Sequence, residues 1–122
     1  MSPTQRVVTI AALTWALDRL ARGEKVALAS IIEAKGSVPG KPGARLVISS
    51  KGGTFGTVGG AGLEKRVENR LKELLYEEDR SRKRGGVVEV FLLHKDGKGK
   101  EVTTLDSLCG GEVTIAMEVM EP

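Results

Sequence analysis

Hydrophobic and polar positions change their period several times along this chain, and each change marks an element. Leu13, Leu17 and Leu20 recur at helical spacing, and Gly23 stands where a helix C-terminal cap is expected. The spacing predicts a first helix over roughly Thr9 to Arg22. From Lys25 to Glu33 the chain is apolar on both alternating faces, which reads as a central strand covered on both sides. Gly36 to Gly43 holds three glycines and two prolines in eight residues, so it is neither helix nor central strand.

A strand resumes from Ala44 to Ser49, Lys51-Gly52-Gly53 forms a tight hairpin turn, and Thr54 to Val58 returns as its partner. After Gly59-Gly60-Ala61-Gly62, an amphipathic helix runs from about Leu63 to Glu78, with Leu63, Val67, Leu71, Leu74 and Leu75 as its apolar stripe. A charged connector at 80–84 leads to a strand from Gly86 to His94. Asp96 to Gly99 is a turn, Val102 to Leu105 a short strand, and Glu112 to Met120 alternates as a final strand. The adjacent hairpins argue against a doubly wound sheet. The expected fold is α/β of the α+β kind: a mixed, partly antiparallel sheet with about two helices, one on each face, in a single domain over residues 1–122.

Composition narrows the function classes. With four aromatic residues the core must be mostly Val, Leu, Ile and Ala, and stacking platforms for single-stranded nucleic acid are absent. The net charge of +3 favours an anionic ligand but is too small and dispersed to argue for nucleic acid. No apolar run approaches the roughly 20 residues that cross a bilayer. The N-terminus lacks the pattern of a signal peptide, and one cysteine cannot form an internal disulfide, so the cytoplasm is the expected compartment. Gln5 and Asn69 are the only side-chain amides beside abundant charge, which suggests a thermophilic source.

The candidate chemistry lies in three glycine-rich loops at strand ends: 36–43, 59–62 and 109–111. Loop 59–62 leads from a strand into a helix, an arrangement that holds phosphate in many proteins because helix N-termini carry unpaired N–H donors and partial positive charge. Glycines also permit tight turns and close helix–sheet packing, and spacing alone leaves both readings open. The loop closes on no Gly-Lys-Ser/Thr and is not Gly-x-Gly-x-x-Gly, so neither a Walker loop nor a dinucleotide site is indicated. Loop 36–43 brings Ser37, Lys41 and then Arg45, a hydroxyl and two cations suited to phosphate or carboxylate, or to an ordinary solvated surface. Cys109, the sole thiol, lies beside Gly110 and Gly111. Backbone donors there would lower its pKa and make it a nucleophile, a sulfur carrier or a soft-metal ligand; a small buried residue at a turn is the plainer reading. His94, the only histidine, ends a strand near a charged turn and reads as a surface residue. No zinc site, Ser-His-Asp arrangement or paired-carboxylate motif is present.

Taken in order, Gly36-Ser37-Val38-Pro39 with Pro42-Gly43-Ala44-Arg45, then Gly56-Thr57-Val58-Gly59-Gly60 with Leu63-Glu64, then Leu108-Cys109-Gly110-Gly111-Glu112-Val113, resemble the N-terminal domain of the XdhC/CoxI family. Those proteins are accessory factors for xanthine dehydrogenase and carbon monoxide dehydrogenase. The resemblance runs from about Val26 to Glu118. It implies a cofactor-binding chaperone, not an enzyme, that binds the molybdenum cofactor (molybdopterin) and helps its sulfuration or its insertion into a molybdenum hydroxylase. By the same resemblance the cofactor-binding residues are Ser37, Lys41, Arg45, Thr57, Gly59, Gly60, Glu64, Cys109, Gly110 and Gly111, with Cys109 meeting the metal or the transferred sulfur.

Two positions depart from the family's pattern. Gly40 stands where an arginine is usual, and Lys41 supplies a charge but not a bidentate fork; Ala61-Gly62 intervenes before Leu63-Glu64. Many family members carry a second, Rossmann-like domain, which this chain is expected to lack. The implied partners are a molybdenum hydroxylase, a sulfurtransferase, and a second copy that could cover exposed strand edges as a homodimer. Two alternatives stand beside this reading: a protein-binding module that pairs with a separately encoded Rossmann-like domain or a hydroxylase subunit, and a small sulfur transferase using Cys109.

Overall fold

A computed structural model describes residues 2–38, 40–77, 86–93 and 110–122. Its elements follow one another as α1 (Pro3–Ala21), β1 (Val26–Gly36), β2 (Arg45–Ser49), β3 (Thr54–Thr57), α2 (Ala61–Tyr76), β4 (Val87–Leu93) and β5 (Gly111–Met120). Cys109, His94, the turn expected at 96–99 and the strand expected at 102–105 lie outside the described residues.

α1 begins six residues before the expected Thr9 because its N-terminus is capped. The Ser2 hydroxyl accepts from the Gln5 N–H at 3.1 Å, Gln5 returns the contact to the Ser2 N–H at 3.3 Å, and Pro3 is preset for the first turn. Gly23 ends the helix at φ 83°, with its N–H on the Leu20 carbonyl at 3.0 Å.

The strands form one sheet in the order β3-β2-β1-β5-β4, and every described pairing is antiparallel. The two hairpin partners β2 and β3 were legible locally; the insertion of β5 between β1 and β4 is a long-range event. β1 is the central strand, buried on both faces from Val26 to Ile31 as its double-sided apolar pattern predicts, while Ile32 and Glu33 are exposed where the strand runs toward the loops. Ala27, Ala29 and Ile31 face the α2 side, while Val26 and Leu28 face α1. Ile32 sits at a bulge where the β1–β5 register shifts.

The α2 stripe packs as expected: Leu63, Val67, Leu71, Leu74 and Leu75 are buried against Ile115, Val113, Phe91 and the inner side of β1 and β2. Each such side chain contributes about 1.5–3 kcal/mol from area removed from water, so Leu71→Ala is expected to cost about 2–5 kcal/mol. Across the sheet, α1 buries Ala12 and Ala16 on Val26, Leu28 and Val47, flanked by Trp15 and Leu20. The side of α1 that meets the sheet is thus its alanine face. Leu13 and Leu17 point away from the sheet at 42% and 67% exposure, and of the three leucines only Leu20 joins the core. Two alanines on one face let the helix axis come close to the sheet, and Trp15 fills the flank by stacking on Phe55 at 6.1 Å between ring centroids.

Candidate functional site at the glycine-loop end of the sheet

Antiparallel pairing brings the C-terminal ends of β1 and β3 beside the N-terminal ends of β2 and β5, so the three glycine loops meet at one end of the sheet. Gly36 pairs with Gly111 and Arg45 with Thr57. The contacts there are close. A Cβ on Gly111, whose φ is 134°, would lie 2.5 Å from the Lys35 carbonyl oxygen and 2.9 Å from both N and O of Ser37. A Cβ on Gly40 would lie 2.1 Å from the Val58 carbonyl oxygen and 2.6 Å from the Ile31 side chain. Loop 36–43 therefore leans on Val58, and the start of β5 leans on loop 36–43. The absence of an arginine at position 40 has its physical reason here, since no side chain fits against that carbonyl.

α1 braces the same loop from behind. Gln5 Nε2 donates to the Pro42 carbonyl at 2.8 Å, and Arg45 Nη1 donates to Thr9 Oγ1 at 2.9 Å and to the Gly43 carbonyl at 2.7 Å. The Gly43 N–H donates back to the Ile31 carbonyl at 2.9 Å. Arg45, a candidate ligand cation in the sequence, is thus held as a structural tie. The bracing role of Gln5 and Thr9 is missed by sequence reasoning; the one available signal is that Gln5 is one of two side-chain amides in the chain.

Loop 59–62 is organised by Glu64. Its Oε1 accepts from the Val58 N–H at 2.9 Å and its Oε2 from the Thr57 hydroxyl at 2.8 Å, while Thr57 Oγ1 accepts from the Gly59 N–H at 3.0 Å. A carboxylate in the first turn also suits the positive end of α2. Thr57 and Glu64 are brought together, but onto each other and the loop backbone. What stays open is Gly60. It is the N-cap of α2 in extended conformation (φ −88°, ψ 168°), no side chain caps the helix, and a Cβ built on it meets nothing within 4 Å. Neither backbone strain nor packing demands glycine at position 60, unlike positions 40 and 111.

Ser37 and Lys41 are exposed beside this end of the sheet, Gly110 is buried, and Gly111 is half-buried. Lys35 lies between Glu33 at 3.4 Å and Glu112 at 3.7 Å. The loop end therefore carries a cationic side at Lys41 and a side where carboxylates outnumber the lysine. Cys109, next to Gly110, lies outside the described residues. A shallow cavity of about 210 Å³, lined by Leu28, Ser30, Val88, Ala116 and Glu118, sits away from the loops on the part of the sheet that α1 leaves open. Among the described residues no helix is long and apolar enough to cross a membrane.

A family model described as the XdhC and CoxI family matches residues 19–89, which takes in loops 36–43 and 59–62 and ends before loop 109–111. Comparison with curated proteins gives no match. Among solved structures, a crystal structure described as a xanthine dehydrogenase from Bacillus halodurans is similar, with a TM-score of 0.58 and 22% sequence identity. The match covers 86% of this chain and 29% of that one, so this chain spans less than a third of that protein's length. At that identity the likeness speaks for the fold.

Proposed function

This chain belongs to the XdhC and CoxI family, which is associated with the maturation of molybdenum hydroxylases, and from that premise we propose that it binds the molybdenum cofactor and assists its sulfuration or insertion. The observation that carries this reading is the convergence of the three motif loops on one end of the sheet, beside the uncapped N-terminus of α2.

The residues there fit the phosphate of such a cofactor. The open face of Gly60 and the first-turn N–H groups of α2 form an anion cradle, with Gly59 holding the loop's shape and Lys41 and Ser37 supplying charge and a hydroxyl at the rim. Arg45, Thr57 and Glu64 act indirectly, by fixing the backbone that receives the phosphate. Gly110 and Gly111 lie against Gly36 and Ser37, and Cys109, just before them in sequence, would offer its sulfur to the metal or to the transferred sulfur. When bound, the cofactor would supply a molybdenum centre with affinity for sulfur ligands. Purified chain mixed with cofactor released from a hydroxylase should retain it through gel filtration. Gly60→Val, whose side chain enters open space, should fold and lose retention, while Cys109→Ser should retain the pterin phosphate but weaken the hold on metal. No retention by the wild-type chain refutes the proposal.

Val88 and Val90, 62% and 56% exposed on β4, favour a second reading in which the chain docks on a hydroxylase subunit or a separately encoded Rossmann-like domain. Co-purification with such a partner that survives Gly60→Val combined with Cys109→Ala would support it.

A further inference from the structure

α1 is apolar on two faces, yet the sheet covers only one. Opposite Ala12 and Ala16 lie Val7, Ile10 and Leu17, 66%, 58% and 67% exposed, with Leu13 at 42%. Val7, Ile10, Thr14, Leu17 and Ala21 repeat at alternating steps of three and four, which is the a/d pattern of a coiled-coil seam, and all five are exposed. A second apolar face on a helix is ordinarily a contact surface. Nor can α1 turn to hide this face, since Arg45, Gln5 and the Trp15–Phe55 stack pin its other side to the sheet and loop.

We infer that α1 pairs antiparallel with α1 of a second copy of this chain, about a two-fold axis level with position 12, between Ala11 and Leu13. The pattern is self-complementary in that arrangement. Val7 falls against Leu17 of the second copy and Ile10 against Thr14 of the second copy. Leu13 and Ala11 each meet their own counterpart across the axis, and alanine there lets the helices approach closely. The flanking charges do not meet like charges: Arg6 falls against Leu20 of the second copy and Asp18 against Thr4 of the second copy. A 19-residue helix is about 28 Å long and offers less than the roughly 800 Å² per partner of a standard interface, which places the pairing among weak, concentration-dependent ones. This pairing is independent of any cofactor. It places the dimer axis on the outer face of the helix whose inner face braces loop 36–43.

Light scattering behind gel filtration, from on the order of 1 µM to 100 µM, reads the proposal. The wild-type mass is expected to rise from 13.0 kDa to twice that value over this range. Ile10→Glu and Leu17→Glu should each hold the chain at 13.0 kDa throughout, with the thermal unfolding and Trp15 fluorescence of the wild type. Leu13→Cys in a Cys109→Ser background adds no charge to the seam and should form a covalent dimer with a short bismaleimide. A wild-type chain that stays at 13.0 kDa at 100 µM overturns the inference, even where it captures some other protein. So does a dimer that persists in both glutamate variants, which would belong to a sheet edge, or a Leu13→Cys chain that does not cross-link.

Discussion

Removing the Glu64 carboxylate should move stability and anion affinity in opposite directions. Its two contacts, from the Val58 N–H at 2.9 Å and the Thr57 hydroxyl at 2.8 Å, are hydrogen bonds to a charged acceptor. Such bonds are worth about 1.5–3 kcal/mol each when well shielded, and partial exposure reduces this pair to about 1 kcal/mol each. Glu64→Ala should therefore cost about 2 kcal/mol. An unfolding entropy of about 2.1 cal/mol/K per residue gives about 0.26 kcal/mol/K for 122 residues, so Tm should fall by about 8 °C. Glu64→Gln keeps one acceptor oxygen and the shape, and should lose about half as much. At the same time the substitution removes a negative charge beside the α2 N-terminus and releases the Val58 donor. A unit charge a few ångströms from a bound anion, in a partly hydrated site, opposes it by roughly 1.4 kcal/mol, or tenfold in affinity. Scanning fluorimetry with increasing inorganic phosphate reads both effects at once. Glu64→Gln should start lower than wild type and be stabilised by about tenfold less phosphate. A Glu64→Ala chain melting within about 1 °C of wild type would falsify the clamp. An unchanged phosphate dependence in Glu64→Gln would remove the anion cradle from this loop.

The glycines divide by the same kind of argument. Gly111→Ala and Gly40→Ala drive a Cβ into backbone oxygens and should each cost about 3 kcal/mol by urea denaturation, whereas Gly60→Ala should lie within about 1 kcal/mol of wild type. Arg70 holds both oxygens of Glu89 through Nε and Nη2 at 2.8–3.0 Å, and the hydrogen bond to Glu89 keeps the guanidinium protonated above its ordinary range. Arg70→Ala should cost about 1 kcal/mol, a loss that shrinks in high salt because both groups are about one-third exposed, and Arg70→Lys should recover only part of it. The near absence of side-chain amides predicts a wild-type Tm above about 60 °C, checked by calorimetry.

The fold is legible in the sequence wherever one period excludes another. The stripe from Leu63 to Leu75 has polar neighbours on its other side, so only one face of α2 can be inward. β1 has no polar alternation, so both its faces must be covered, and a helix lies on each. α1 resists the same treatment because apolar residues lie on two of its faces. The leucine spacing marks the helix but not its inward side, and the sheet accepts the face of small residues, where Ala12 and Ala16 allow close approach. The position of β5 in the sheet is illegible for a different reason: it depends on Gly36 meeting Gly111 across 75 residues of chain, which no local pattern reports.

The candidate site shows how a glycine motif can be specific to a family and yet belong only in part to a ligand. Gly40 and Gly111 sit where backbones of different loops come too close for a Cβ, and Gly36, at φ 76°, sits in tight contact with Gly111, so the ordered motifs pack as one arrangement. Gly60 escapes that explanation, because its conformation suits any residue and the space above it is empty. Arg45 and Glu64, charged residues that the motifs offer as ligand contacts, have protein partners already, leaving Lys41 as the exposed cation of the first loop. Under the proposed function the phosphate contacts would therefore centre on the step from Gly59 into α2, with Lys41 and Ser37 of the first loop at the rim. A ligand there must approach backbone more than side chains, which favours a phosphate over a carboxylate that would look for an arginine fork.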